Sequence, residues 1–108
     1  MSRIHLVTIA VRRDRMEAFF EYERQAAVIM ARHGGRIEKA IALDDDRASP
    51  HYQETHMVVF PDEAHLNAYR NDPEIKALAP LRESCIVSTT ITYGTEGEDS
   101  SGNLKVKI

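Results

Sequence analysis

Phe60 to Cys85 reads FPDEAHLNAYRNDPEIKALAPLRESC. The stretch begins a helix after Phe-Pro, halts it at Asn71-Asp72-Pro73 and restarts at once. Asp62 is placed to cap a short helix carrying Ala64, Leu66, Ala68 and Tyr69, because a carboxylate just before such a run accepts from the free N–H groups of the first turn. That helix ends at Asn71-Asp72, since the residue preceding a proline is pushed out of the helical region. Pro73 itself suits a first helical position, so Asp72-Pro73-Glu74 opens a second short helix through Ile75 and Leu78, limited by Pro80.

Strands are expected on both sides of this broken helix. Upstream, His51 to Phe60 alternates Thr55, Met57 and Val59 with Glu54, His56, Val58 and Phe60; downstream, Cys85 to Tyr93 alternates Val87, Thr89, Ile91 and Tyr93 with Ile86, Ser88, Thr90 and Thr92. Ile4 to Val11 is apolar on both faces and rich in β-branched residues, as a covered central strand requires. Asp14, with Glu17 three residues on, reads as an N-cap and capping box for an amphipathic helix carrying Met16, Phe19, Phe20, Ala26, Ala27 and Met30. His33-Gly34-Gly35 closes that helix, glycine being suited to the left-handed turn that satisfies the last carbonyls. Gly35 to Leu43 follows as a strand, and the turn-rich segment Asp44 to Pro50 links it to His51 in a long hairpin. With Leu43 across from His51, Ile37 would face Met57 and Glu38 would face His56.

The order is strand, helix, strand, strand, helix pair, strand. Right-handed crossovers then put the first and third strands at the centre of a four-stranded antiparallel sheet with helices on one face, an α+β ferredoxin-like βαββαβ plan. Residues 1–93 form this domain, and 94–108 are read as a flexible or edge-strand tail in which Leu104, Val106 and Ile108 recur at strand spacing.

The wording of two stretches carries a resemblance. RQAAVIMARHGGRI (Arg24–Ile37) and VVFPDEAHLNAYRNDPEIKALAPLR (Val58–Arg82) resemble the domain-of-unknown-function 1330 family of the dimeric α/β-barrel superfamily. In that family a first helix ends in a Gly-Gly turn, and a strand ending in Phe-Pro leads to a helix, a Pro-Glu break and a short Ala-Leu-rich helix. The resemblance covers roughly residues 4 to 93. It implies a homodimer in which the open sheet face closes against a second subunit. Related branches include cofactor-independent monooxygenases, isomerases and haem-degrading enzymes, so it spreads the functional expectation across several chemistries.

Composition narrows the partners. The 108 residues hold 14 Lys and Arg against 17 Asp and Glu, for a net charge of −3, and the one basic cluster, Arg12, Arg13 and Arg15, is interrupted by Asp14. No nucleic-acid partner is expected, because phosphate binding needs a clustered basic surface. The first apolar run is too short to span a membrane, and a single cysteine, Cys85, fits a reducing cytoplasm. Without basic neighbours other than Arg82, that thiol is expected to be buried and inert.

If Thr55, Met57 and Val59 face the helices, then Glu54, His56 and Glu38 point to the other face, joined by Ser88, Thr90 and Thr92. On this reading His56 is a general base or acid oriented by Glu38, while Glu54, Ser88 and Thr90 contact a small-molecule ligand inside the dimer barrel. The same side chains would also serve to hydrogen-bond one another or water within a subunit interface. A divalent-ion reading of Glu54, His56 and Glu38 is open on ligand type, but neither a metal nor a cofactor is expected. His5 is counted about four strand positions from His56, roughly 13 Å, too far for a direct dyad. Tyr22 and Tyr69 are expected to pack, His33 to sit at a helix C-terminus, and His51 and His65 to be exposed. The functional expectation is a small hydrophobic or aromatic metabolite handled by cofactor-independent oxygenase, isomerase or lyase chemistry, with a non-catalytic binding or assembly role as the alternative.

Overall fold

β1 (Arg3–Arg12) runs between β3 (His51–Phe60) and β4 (Ile86–Glu98), antiparallel to both, while β2 (Arg36–Ala42) flanks β3 and β5 (Leu104–Lys107) flanks β4. The resulting sheet order is β2-β3-β1-β4-β5. This computed structural model describes residues 2–43, 48–98 and 104–107. The expected Asp44–Pro50 turn falls partly, at residues 44–47, outside them. The helices are α1 (Met16–Arg32), α2 (Glu63–Arg70), α3 (Pro73–Ala77) and α4 (Ala79–Cys85). The four-stranded antiparallel ferredoxin-like plan of the sequence is therefore present, with β1 and β3 central and β5 added at the edge of β4.

Local chemistry accounts for most of the punctuation. The Asp62 carboxylate accepts from the His65 N–H at 2.9 Å and Asp72 from the Glu74 N–H at 2.8 Å, which caps α2 and α3. Asp72 also pairs with His33 Nε2 at 2.7 Å, tying the start of α3 to the end of α1. The imidazole, ahead of the Glu74 N–H, holds the Asp72 carboxyl below its ordinary range. Pro80 starts a helix instead of ending one: it lies in the first turn of α4, where its missing N–H costs nothing. Cys85 consequently closes α4, and β4 begins one residue later than expected. Asp14 does not cap α1. Its carboxylate is taken by Arg12 at 3.0 and 3.1 Å, and a 3-10 turn over Arg13–Arg15 leads the chain into the helix.

At the other end of α1, Gly34 sits at φ 73° and the Gly35 N–H returns to the Met30 carbonyl at 3.0 Å. Gly35 is constrained by contact. A Cβ there would come within 2.4 Å of Phe60 Cε1 and 2.7 Å of Met30 Cγ, at the seam where β2 leaves α1.

The hairpin register differs from expectation. Ile37 pairs with Val58, Lys39 with Met57 and Ala40 with His56, with Glu38 as the extra residue of a bulge between Ile37 and Lys39. A bulge inserts one residue on one strand, so every later pair shifts and the side-chain alternation of β2 flips across it.

The face assignment of β3 is also reversed. His56, Val58 and Phe60 turn toward the helices, with Val58 and Phe60 packed on Met30 and Leu66, so Thr55, Met57 and Val59 lie on the other face. The aromatic side chain at the end of the strand, Phe60, lies on the helix side, where it is 1% exposed against Met30 and Leu66. On β4, Ile91 and Thr89 do face the helices, leaving Ser88, Thr90 and Thr92 on the open face.

Substituting Gly35→Ala should destabilise the fold by about 1–3 kcal/mol through overpacking against Phe60 and Met30. Urea unfolding followed by circular dichroism would register this as a lower midpoint at unchanged slope.

Candidate active site

The core under the helices is divided. One cluster gathers Ile9, Val11, Phe19, Cys85 and Ile86, a second Met30, Val58, Phe60 and Leu66, and a third Ala26, Ile29 and Leu78. Between them lies a cavity of about 380 Å³, floored by β1, β3 and β4 and roofed by α1 and the three short helices. Its walls are mainly apolar. Two groups of polar side chains gather around the histidines of its floor.

At the first, His56 Nε2 lies 3.1 Å from Glu54 Oε1 and 3.5 Å from Glu23 Oε1. The period of two along β3 brings Glu54 and His56 to one face, and α1 supplies Glu23 from the stripe that also carries Phe19, Ala26 and Met30. His56 is only 7% exposed, and neither its Nε2 nor Glu23 Oε1 finds a hydrogen-bond partner of good geometry. Burial raises the Glu23 carboxyl above its ordinary value; the His56 imidazole opposes that rise and the Glu54 charge adds to it. An imidazole between two carboxylates can take up a proton and have the resulting cation stabilised on the spot. The three donor groups also lie within 4.8 Å of one another, a spacing compatible with a divalent ion, and the third donor is Glu23 rather than Glu38.

At the second, His5 is 6% exposed and its ring meets Tyr93 edge-on at a centroid distance of 4.7 Å. Arg70 Nη2 donates to the Tyr93 hydroxyl at 2.7 Å, its guanidinium 5.2 Å from the centre of the Tyr93 ring. Burial, then the charges of Arg70 and Arg3, pull the His5 imidazole down to about 4, so it is neutral at physiological pH. The two histidines are much nearer than strand counting suggested. His5 pairs with Val58 and Val7 with His56, making the histidines diagonal neighbours on one face, about 7–8 Å apart.

The remaining candidates separate. Glu38, at the bulge, gives its carboxylate to Arg36 at 2.6 Å, and it is Ala40 that lies across from His56. Ser88 and Thr90 are on the opposite side of the sheet from His56, because Val7 pairs with both His56 and Ile91 and alternation then turns Thr90 away. Glu54 remains beside His56. The sequence reading missed Glu23, although a lone carboxylate inside the apolar stripe of α1 was the available signal. Tyr22 and Tyr69 line the cavity, and burial raises both phenols. Cys85 is fully buried with its thiol raised by burial, which suits an inert core position.

Residues 6–93 match the family described as a domain of unknown function, DUF1330. The chain belongs to that family. No curated protein matches this DUF1330 chain. Among solved structures it is similar to a protein of unknown function from Rhodopseudomonas palustris, with TM-score 0.69 and 17% identity over 85% of this chain and 80% of that one. It is also similar to a putative antibiotic biosynthesis monooxygenase from Bacteriodes thetaiotaomicron, with TM-score 0.67 and 18% identity over 87% and 88% of the two chains. A third is SnoaB, a cofactor-independent oxygenase from Streptomyces nogalater, with TM-score 0.63 and 13% identity over 93% and 98%. At these identities the likeness establishes the shared fold. Among the described residues, no helix of the DUF1330 chain is long and apolar enough to cross a membrane.

The neutral His5 makes stability depend on pH in a fixed direction. Its folded value of about 4 lies below the ordinary 6.5, so between the two the unfolded chain binds a proton that the folded chain does not, and stability falls as pH drops through that window. Moving from pH about 6.5 to about 4.5 should therefore cost the wild type about 1–3 kcal/mol more than His5→Gln, measured by urea unfolding at each pH.

Proposed function

We propose that this DUF1330 protein binds a small hydrophobic or aromatic metabolite in the cavity between helices and sheet and transforms it by proton transfer at His56. The reaction is of the cofactor-independent oxygenase, isomerase or lyase type. The single observation that carries this reading is a buried imidazole, backed by Glu54 and Glu23, set in the floor of a mainly apolar cavity.

The chemistry follows from that arrangement. His56 Nε2 accepts a proton from a C–H or O–H of the substrate, and the two carboxylates hold the imidazolium that forms. The electron pair left on the substrate delocalises onto an adjacent oxygen. Return of the proton at another carbon gives an isomerase, expulsion of a leaving group gives a lyase, and electron transfer to dioxygen, which is reduced as the substrate is oxidised, gives an oxygenase. The orienting role expected of Glu38 belongs in this reading to Glu54 and Glu23. Apolar walls keep water away from the reactive anion.

Residues 1–93 are the functional unit in this reading, with 94–108 as an appended tail, in a cytoplasmic protein. The opposite sheet face, where Leu6, Met57 and Ile41 lie beside Thr8, Thr55 and Thr90, closes against a second copy. Support for that closure comes from the 48% exposure of Ile41 and from the similarity of fold to the structures named above.

Native mass spectrometry of the purified protein should give a dimer carrying an extra small mass. Turnover of the compound so identified should fall by about 10²- to 10⁴-fold in His56→Ala, with the circular dichroism spectrum unchanged. Undiminished turnover in that variant would remove His56 as the base. A dimer that takes up nothing from a metabolite extract would favour the non-catalytic assembly role.

A further inference from the structure

We propose that the cavity selects anionic ligands: a hydrophobic acid seats its oxygens against His5 and Arg70, which line it, while its apolar body reaches toward His56. This rests on the reading of the cavity as the ligand site and names the substrate class of that site.

Two buried donors near the start of β1 are unmatched. Arg3 and His5 share one face of β1, two positions apart, and Arg3 Nε and His5 Nε2 are both buried without a hydrogen-bond partner. Leaving such groups unpaired is costly, and for His5, which lines the cavity, a carboxylate, phenolate or enolate oxygen is a partner that would satisfy it. Arg70 approaches the same place from α2, its Nη2 donating to the Tyr93 hydroxyl. Lys76 lines the cavity from α3. Among the described residues, none of Arg3, Arg70 and Lys76 is ion-paired with a carboxylate. In a chain of net charge −3, Arg70 on the cavity wall and Arg3 beside His5 make the surroundings of His5 locally cationic.

The other place has the opposite polarity. Glu23 and Glu54 flank His56 and repel an anion there, which favours the orientation that sets the acid's oxygens toward His5 and Arg70. His5 and His56 are diagonal neighbours, about 7–8 Å apart, roughly the span from a carboxylate to the far edge of a two-ring aromatic system. The reacting carbon is thereby placed at the base by a contact made remote from it.

Isothermal titration at neutral pH with 2-naphthoate and its uncharged isostere 2-naphthamide tests this. The acid should bind at least about tenfold more tightly, as charge-assisted hydrogen bonds require. Arg70→Gln should remove most of that preference by weakening the acid far more than the amide, and Arg70→Lys should restore part of it. Ala79→Trp, which adds bulk at an exposed position of the cavity wall, should block both probes. Equal affinity for acid and amide overturns the proposal, as does a preference that survives Arg70→Gln and Lys76→Gln together. Failure of the acid to bind, or binding indifferent to Ala79→Trp, overturns it as well. The two readings fail separately. Normal turnover in His56→Ala would leave the anion preference standing, whereas lost preference with His56-dependent turnover intact would sink only the present inference.

Discussion

The register of β1 against β3 is the constraint on which the site depends. Because β1 is hydrogen-bonded on both sides, its pairing of Val7 with His56 on one side and with Ile91 on the other settles together which side chains of three strands face the helices. A slip of β3 by one residue against β1 would send His56, Val58 and Phe60 to the far face and bring up Thr55, Met57 and Val59 instead. Register is held where burial is most complete, by Phe60 at one end and Val11 at the other, which are 1% and 0% exposed. The same two ends anchor separate apolar clusters, so the middle of the helix layer can stand away from the sheet and leave a cavity.

That arrangement explains why polar groups are found where a core would ordinarily be. His5 and His56 are each nine-tenths buried and each lacks a hydrogen-bond partner on Nε2. Both carry their cost on the most thoroughly bonded strands of the sheet, where the backbone is least able to move away from it. Their surroundings push them apart in character, cations around one and carboxylates around the other, which is how two identical side chains acquire different roles.

How much of this could be read from the chain depended on how local the cause was. Gly34-Gly35, Asp62 and Asp72-Pro73 act within a turn of themselves, and their effects were legible residue by residue. The strand order followed from the sequence of elements and the handedness of crossovers. The facing of β3 was not legible, because Thr55, Met57 and Val59 are as plausible a buried set as His56, Val58 and Phe60 until α1 is laid against one of them. The Glu38 bulge has no marker in the sequence, and its displacement separated the expected Glu38–His56 pair. Of the expected site, Glu54 and His56 stay together for the reason that made them readable, a spacing of two on one strand. Glu23 arrives from an element whose position only the packed structure supplies, and Ser88 and Thr90 were lost with the face.

The proline-punctuated roof has a consequence for kinetics. α2, α3 and α4 span 8, 5 and 7 residues, each too short to persist as a helix without its tertiary contacts. Their stability is borrowed from packing on α1 and the sheet, and the His33–Asp72 pair and the caps divide it into separately held pieces. One piece can therefore undock while the strands remain paired, at a fraction of the free energy of global unfolding. Exchange of molecules between cavity and solvent then proceeds on the timescale of a single short segment letting go, and the sheet keeps its register throughout.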